Sequence, residues 1–316
     1  MKINVKECAA VLMQQEDILI LTHAHPDGDT LGCGFALCRA LLALGKRARV
    51  INADEIPAKY DYLFEGIEAV DFEPKFIVAV DVATENLLGE LNEIYGGKIN
   101  LCIDHHGTNT LFAEKTLLEE VAAACETMFK LIKELGVQID KSIAACLYTG
   151  ITTDTGCFRY ASVTAETFRA AAELVELGAD NGAINRAMFE TKTKTYAKLE
   201  RLAINSMRFY CNDRVAVITV TQDMYAKTGS NETETEALAP LTRQIEGVEI
   251  GLTIREKSDK TCKVSIRTFE NVNAAELAKY FGGGGHPQAS ACRFDCSVDE
   301  ATKQLIDKCA QLLGDK

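Results

Sequence analysis

The sequence predicts an α/β protein: an N-terminal parallel sheet with helices on both faces, followed by a smaller C-terminal α+β domain. In the first half of the chain, short apolar runs alternate with helix-like segments. Continuous apolar runs are typical of strands buried on both faces, as in parallel sheets. From about residue 211, alternating or apolar strand-like runs dominate. A length of 316 residues is also long for one core.

The elements of the first half follow from these local patterns. The predicted strands are the apolar runs 17–22, 47–53, 76–82 and 99–104. The predicted helices are 30–45, which ends at a glycine, and then 114–136 and 141–152. Parallel sheets place ligands beyond the carboxyl ends of their strands, so we expect a functional site at that edge.

The sequence pattern of the second half of the chain predicts the domain organisation. Residues 164–210 are mainly helical in pattern, with 191–210 as a helical linker between a domain over 1–190 and a domain over 211–316. Helices are predicted at 232–246, where Pro240 starts or kinks the helix, and at 273–281 and 297–313. Asn273 with Glu276 fits a capping box. We expect an active site in the cleft between the two domains.

Composition excludes several classes of protein. A net charge of −12 disfavours sequence-independent binding of long duplex nucleic acid, which usually requires a basic surface. No stretch reaches the roughly 18 unbroken apolar residues of a membrane span, and the N-terminus lacks the pattern of a signal peptide. The twelve cysteines contain no CxxC pair and lie mostly in apolar segments. This usage predicts buried thiols in a reducing compartment, hence a cytoplasmic protein.

The five histidines are the most informative residues. They are confined to three polar, turn-like stretches: HAHPDGD with His23 and His25, IDHHGT with His105 and His106, and GGGGHPQ with His286. Histidines grouped in this way indicate functional sites.

Carboxylates follow the same strands. Asp27 and Asp29 come after the first strand, Asp81 ends an apolar run where an unpaired carboxylate is costly, and Asp154 follows a helix-like segment. If the strands are parallel, these side chains converge with those of the histidines. The alternative is that each aspartate caps a helix or forms a turn, which suits Asp29 but explains neither Asp81 nor the histidines.

The donor types indicate metal binding. Mixed imidazole and carboxylate ligands favour first-row ions such as Mn²⁺, whereas a purely oxygen site suits Mg²⁺ or Ca²⁺. The candidates exceed what one ion with open positions needs, so two ions sharing a bridging carboxylate are expected. Spacing alone does not choose between His23 and His25, because in an extended segment both point to the same side.

In its motifs, the chain resembles the DHH phosphoesterase superfamily, in the branch with a C-terminal DHH-associated domain. The motifs occur in order along nearly the whole chain: HAHPDGD at 23–29, Asp81 in VAVDVA, the triplet Asp104-His105-His106, Asp154 in TGITTDTG, and GGGGH at 282–286. Each motif alone is weak, but five in order at suitable spacing are specific.

The resemblance implies a role for each residue. One metal ion would be held by His23, Asp27 and Asp81, and the second by a set that shares Asp81 as a bridge. That second set is Asp29, Asp81, His105 and Asp154. Asp104 would orient a histidine, and His106 would face the scissile phosphate and stabilise charge or handle a proton. His25 falls at a variable position of the motif.

The C-terminal domain is expected to bind substrate. The resemblance implies that Arg267 contacts a substrate phosphate, a role that suits the bidentate geometry of arginine. Glycine N–H groups of Gly283, Gly284 and Gly285 can form an anion-binding nest beside His286. The alternatives are an edge-strand charge for Arg267 and a helix-ending cap for the glycines.

Size and domain content narrow the expected activity within the superfamily. The chain has no membrane segment or sensory module, is short for RecJ-type exonucleases, and carries a glycine signature that argues against the pyrophosphatase branch. The compact oligoribonuclease and pAp-phosphatase class remains. The resemblance therefore implies a Mn²⁺-dependent two-metal hydrolase of short oligoribonucleotides, and of 3′-phosphoadenosine 5′-phosphate (pAp), with a homodimer as an allowed assembly. The alternatives are a phosphodiesterase of cyclic or linear dinucleotides and a nucleotide- or RNA-binding regulator.

Overall fold

The computed structural model describes residues 1–68, 70–269 and 271–314, excluding the side chains of Thr233, Glu236 and His286. The chain divides into two compact units, Met1–Thr191 and Lys192–Lys316. Within the described ranges, no helix combines the length and the apolar character that crossing a membrane requires.

The first unit is built on a parallel sheet. Its described strands are β1 (Lys2–Ile3), β2 (Ile18–Leu21), β3 (Ala48–Ile51), β4 (Phe76–Val80), β5 (Leu101–Asp104) and β6 (Lys115–Leu118). They lie in the order β1-β6-β5-β4-β2-β3, and every neighbouring pair is parallel. The predicted parallel sheet is therefore confirmed.

Helices cover both faces of this sheet. The helices are α1 (Val5–Met13), α2 (Gly28–Ala43), α3 (Leu91–Tyr95), α4 (Ala124–Glu134), α5 (Lys141–Asp154), α6 (Ala165–Glu176) and α7 (Asn181–Asn185), with 3-10 turns at Ala58–Leu63 and Glu85–Leu88 and a π turn at Arg186–Glu190. Ile18 and Ile20 pack into the core formed with α1, α2, α4 and α5. Leu19 and Leu21 face the opposite side, against Leu88 and the start of α3. Alternate residues of one apolar strand thus enter two cores, which explains its unbroken hydrophobic run.

Two predictions about helix boundaries are wrong. The segment 114–136 is not one helix: its first part is strand β6, and α4 begins only at Ala124. β6 hydrogen-bonds to β5 on one side and β1 on the other, and this pairing overrides the helical pattern of the run. Helix α2 begins at Gly28 rather than residue 30, because the Asp27 side chain accepts hydrogen bonds from Asp29 N and Thr30 N as its N-cap.

The second unit is a mixed α+β structure, as predicted. Its described strands are β7 (Arg208–Tyr210), β8 (Val215–Val220), β9 (Ile250–Glu256), β10 (Cys262–Thr268), β11 (Gly284–His286) and β12 (Ala289–Phe294). Its helices are α8 (Lys194–Ser206), α9 (Gln222–Thr228), α10 (Ala274–Tyr280) and α11 (Val298–Leu313), with a 3-10 helix at Glu232–Gln244 that contains Pro240.

The strands of this unit lie in the order β11-β12-β10-β9-β8-β7, with β8 and β9 parallel and the other pairs antiparallel. Helices α10 and α11 pack on one face. Helix α8, which lies in the segment predicted as a linker, packs through Tyr196, Leu199 and Ala203 with β8 and α9 in another core. Asn273 caps α10 by accepting hydrogen bonds from Ala275 N and Glu276 N.

Candidate metal centre

The sheet order brings the predicted ligands to one edge. Strands β2, β4 and β5 are adjacent and parallel, so their carboxyl ends lie side by side. His23, Asp81 and His105 follow these three strands. Parallel pairing therefore assembles residues that are more than 80 positions apart in the sequence.

The first group of candidate ligands is His23, Asp27 and Asp81, whose ligand atoms lie within 4.8 Å of one another. His23 Nε2 is 3.6 Å from Asp27 Oδ1 and 3.6 Å from Asp81 Oδ2. The other ring nitrogen, Nδ1, is 2.8 Å from the carbonyl oxygen of Ala24 and donates to it. In the neutral imidazole, this bond keeps the proton on Nδ1 and leaves a lone pair on Nε2, the atom nearest the carboxylates.

The second group is centred on His105. Its Nε2 is 3.5 Å from Asp81 Oδ1, 3.5 Å from Asp154 Oδ2 and 3.9 Å from Asp29 Oδ2. Its Nδ1 is 2.9 Å from the carbonyl oxygen of Val121, which again directs Nε2 towards the carboxylates. The structure thus brings together all six predicted metal ligands in two groups.

Helix ends position the two remaining carboxylates. Asp29 lies in the first turn of α2 and is fully buried, and its side chain accepts hydrogen bonds from Ala124 N at 2.6 Å and Cys125 N at 3.0 Å. Asp154 is the last residue of α5 rather than part of a following loop. The interpretation of Asp29 as a helix cap is wrong, because Asp27 is the cap.

Asp81 connects the two groups. Its Oδ2 faces His23 and its Oδ1 faces His105, the arrangement a bridging carboxylate requires. It is buried, its φ of 56° is left-handed, and no described atom hydrogen-bonds to its Oδ1. A buried carboxylate oxygen without a donor is costly, and such backbone strain is typical of functional sites. The donor set and this oxygen fit a divalent cation on each side of Asp81.

The pKa values reflect crowded negative charge. Burial, together with the charges of Asp81 and Asp154, raises the pKa of Asp29 well above its usual range. Burial also raises the pKa of Asp154 to about 7. Burial alone would lower the pKa of His105, but the surrounding carboxylates outweigh it and raise this pKa to about 9. Divalent cations would neutralise the excess negative charge that these shifts report.

Asp104 and His106 form a separate pair beside this cluster. His106 Nδ1 donates to Asp104 Oδ1 at 2.8 Å, and Asn109 Nδ2 donates to Asp104 Oδ2 at 2.6 Å. Burial opposes protonation of His106, yet the Asp104 hydrogen bond and the charge of Asp81 raise its pKa. The sequence reasoning missed Asn109, although it lies close behind the histidine pair in DHHGTN.

His25 is not part of either group. Its φ of 53° turns the chain out of the extended conformation, so the assumption that His23 and His25 share one side is wrong. The side chain is 82% exposed, and its Nδ1 lies 3.1 Å from Asp54 Oδ2. Asp54 also accepts a hydrogen bond from His25 N at 2.6 Å.

The predicted substrate-binding residues lie on neighbouring strands of the second sheet. Arg267 on β10 pairs with Ala289 on β12, which pairs with His286 on β11, so the three backbone positions share one row. The His286 side chain lies outside the described residues. Glycine is sterically required at Gly283, where a Cβ would overlap the Ala291 carbonyl oxygen.

Gly285 is constrained as well, with a φ of 143° and a built Cβ only 2.6 Å from the Ala289 carbonyl oxygen. Gly284 has open space around its Cβ position. Close pairing with β12 therefore accounts for two of the glycines, a role that the sequence interpretation did not include.

Two family models match the chain. The N-terminal domain of the DHH family matches residues 17–151, and the DHHA1 domain matches residues 212–314. Together they cover most of both compact units.

Individual relatives extend over most of the chain. It is 33% identical to the bifunctional oligoribonuclease and PAP phosphatase NrnA of Thermus thermophilus, over 92% of this chain and 88% of that protein. It is 26% identical to the cyclic-di-AMP phosphodiesterase PdeA of Listeria monocytogenes, over 94% of this chain and 48% of that protein. A solved structure of an exopolyphosphatase-related protein from Bacteroides fragilis superposes with a TM-score of 0.90 at 26% identity, covering 98% of this chain and 97% of that chain.

Proposed function

This chain belongs to the DHH family, with a DHHA1 domain, and on that premise we propose that it hydrolyses short oligoribonucleotides to mononucleotides and pAp to AMP. It is a metal-dependent phosphoesterase. The similarity to the Thermus enzyme over 92% of the chain supports this choice of substrates.

The observation that carries the proposal is the pair of ligand groups joined by Asp81. His23, Asp27 and Asp81 would hold one divalent cation, and Asp29, Asp81, His105 and Asp154 would hold the other. When bound, such cations lower the pKa of water and neutralise charge on the phosphate oxygens during an in-line displacement. The mixed imidazole and carboxylate donors support Mn²⁺ as the native ion.

Protein groups provide orientation and proton handling. Asp104 accepts a hydrogen bond from Nδ1 of His106, so the imidazole is held with Nε2 on the side away from this carboxylate. A raised pKa keeps His106 protonated over a wider pH range, so it can donate a hydrogen bond to a phosphate oxygen or a proton to a leaving oxygen. Asn109 holds the second oxygen of Asp104 and thereby fixes the orientation of the pair.

The second unit would supply the contacts that choose the substrate. Arg267 and the backbone N–H groups of Gly283, Gly284 and Gly285 are the proposed phosphate contacts, with His286 beside them. Arg267 and His286 occupy the same cross-strand row, which supports a shared role. A small phosphate site of this kind suits short substrates in a chain with a net charge of −12.

A second candidate activity is hydrolysis of cyclic or linear dinucleotides such as c-di-AMP or pApA. The observation that favours it is the similarity to the Listeria cyclic-di-AMP phosphodiesterase over 94% of this chain. The same metal centre would serve both activities, and only the substrate contacts would differ.

A turnover panel with Mn²⁺ separates these activities. The substrates are pAp, a dinucleotide, a five-nucleotide RNA, c-di-AMP and pyrophosphate. We expect release of phosphate from pAp and of mononucleotides from the two linear RNAs, with loss of all activity in Asp81→Asn. Cleavage of c-di-AMP alone would replace the first proposal with the second. Wild-type turnover in Asp81→Asn would contradict the two-metal arrangement.

A further inference from the structure

A cluster of aromatic side chains follows the proposed ligand Asp154. Three consecutive residues, Gly156, Cys157 and Phe158, have left-handed φ values of 57°, 61° and 61°. A bulky residue such as phenylalanine rarely adopts this conformation, and such strain concentrates at functional sites. The turn brings Phe158 back towards α6 instead of continuing the direction of α5.

The aromatic rings of this segment are ordered against one another. The rings of Phe158 and Phe168 are stacked, with centroids 5.4 Å apart and an interplanar angle of 22°. The Tyr160 ring lies over Gly156, where any Cβ would overlap it. Phe168 is 55% exposed and Tyr160 is 46% exposed. We call Phe158, Tyr160 and Phe168 the aromatic patch.

Hydrogen bonds join this patch to the two helices that position proposed metal ligands. Thr155, next to Asp154, accepts a hydrogen bond from Phe158 N through its side chain at 3.0 Å. Thr167, next to Phe168, donates to the buried Glu126 at 3.0 Å. Glu126 lies in the first turn of α4, the helix whose first N–H groups hold Asp29. The patch is therefore anchored to the ends of the same two helices, α4 and α5, that position proposed ligands.

The exposure of the patch needs an explanation. Phe158 packs against the core of the first unit and beside Tyr148, so core packing explains its position. Phe168 stacks on it from α6 yet remains 55% exposed, which core packing does not explain. The adjacent Arg159 is exposed, with its Nε donating to the Gly156 carbonyl oxygen at 2.5 Å. Arg159 lies between Phe158 and Tyr160 in the chain, and a guanidinium in such an aromatic segment suits a ligand that is both flat and anionic.

We propose that the aromatic patch is a base-stacking platform, on which Phe168, backed by Phe158, binds a nucleobase of the substrate. Aromatic rings stack on every base with little sequence preference, which suits an enzyme of mixed short oligonucleotides. The inference rests on the proposed function, because it names the part of that substrate recognised by the first unit.

A fluorescence experiment tests base binding without relying on turnover. The chain contains no tryptophan, so F168W introduces a single indole at the platform. Titration of the Mn²⁺-loaded full chain with AMP should give a saturable decrease in emission, and ribose 5-phosphate should not. The matched control is F209W, which replaces another exposed phenylalanine, on β7. No saturable change in F168W, or an equal change in F209W, would overturn the platform.

Kinetics give a second readout. F168A should lower kcat/KM for pAp about tenfold. The comparison substrate is 1-deoxyribose 3,5-bisphosphate, in which hydrogen replaces adenine, and F168A should change kcat/KM for it by less than about twofold. F168Y should restore pAp turnover, and F209A should match the wild type. Equal losses on both substrates would assign Phe168 a structural role and reject the proposal. If the wild type does not hydrolyse pAp, the proposed function fails, and the AMP titration alone decides whether the platform exists.

Discussion

Substituting alanine for Gly150 tests whether close packing behind Asp29 is required for the metal centre. Gly150 lies in α5, and a Cβ there would overlap Cys125 Sγ and lie 2.5 Å from Asp29 Oδ1. Neither neighbour can move easily, since both are fully buried and Asp29 is held by two backbone N–H groups of α4. The added methyl group must therefore displace the carboxylate or separate the helices.

The expected magnitude follows from two opposing effects. Overpacking of a core costs about 1–3 kcal/mol, and replacing a helical glycine by alanine offsets roughly 1 kcal/mol of this. A net loss of up to about 2 kcal/mol corresponds to a decrease in Tm of up to roughly 8 °C for a unit of this size. Because displacement of a catalytic group by about 1 Å costs on the order of 100-fold, kcat/KM should fall by a similar factor.

The assay combines thermal unfolding, Mn²⁺ binding by calorimetry and turnover of pAp. Gly182→Ala is the matched control, since it is another helical glycine and its Cβ would meet only Asp180 Oδ1, at 3.6 Å. This control should be neutral or slightly stabilising. A Gly150→Ala protein with wild-type Tm and wild-type Mn²⁺ affinity would refute the reasoning, as would equal losses in both variants.

Three further predictions follow from the site. His23→Ala should lower kcat/KM by roughly 100-fold or more. His25→Ala should change kcat/KM only slightly, because the His25 side chain is 82% exposed and lies outside both ligand groups. Equal losses in the two variants would contradict the assignment of His23 as the metal ligand. Metal affinity should rise with pH from 6 to 8, because Asp154, with a pKa of about 7, and His105, with a pKa of about 9, must each lose a proton to bind a cation. Calorimetry in buffers of different ionisation enthalpy should detect the proton release, and its absence would count against this pair of ligands. Asn109→Ala should cost about 1–3 kcal/mol of unfolding free energy, because it removes a donor from the fully buried Asp104, and unchanged stability in denaturant would argue against that hydrogen bond.

Much of the fold could be predicted because the amino-acid composition of the strands indicates that they are buried. β2 and β4 are apolar at every position, and only a strand covered on both faces has that pattern. β6 could not be predicted, because KTLL is short and its identity comes from hydrogen bonds to β5 and β1. Local periodicity contains no information about such partners.

The candidate site, like the fold, could be predicted only in part from the sequence. The residue types and their order along the chain indicate metal binding without the tertiary structure, because histidines and aspartates are costly next to buried strands unless they bind something. Spacing did not distinguish His23 from His25, and it was the family motif that selected His23. The structure adds the reason that His25 lies outside the site: a left-handed backbone at position 25 and a hydrogen bond from His25 N to Asp54, which follows β3.

By itself, the sequence determined the fold class, the apolar strands and the set of six candidate ligands. Only the tertiary structure decided that Asp81 presents one oxygen to each ligand group, that α4 holds Asp29 through its first N–H groups, and that Phe158 and Phe168 stack on one another. The physical reason is that like charges and strained turns are unfavourable locally. They persist because packing and hydrogen bonds from distant parts of the chain hold them in place.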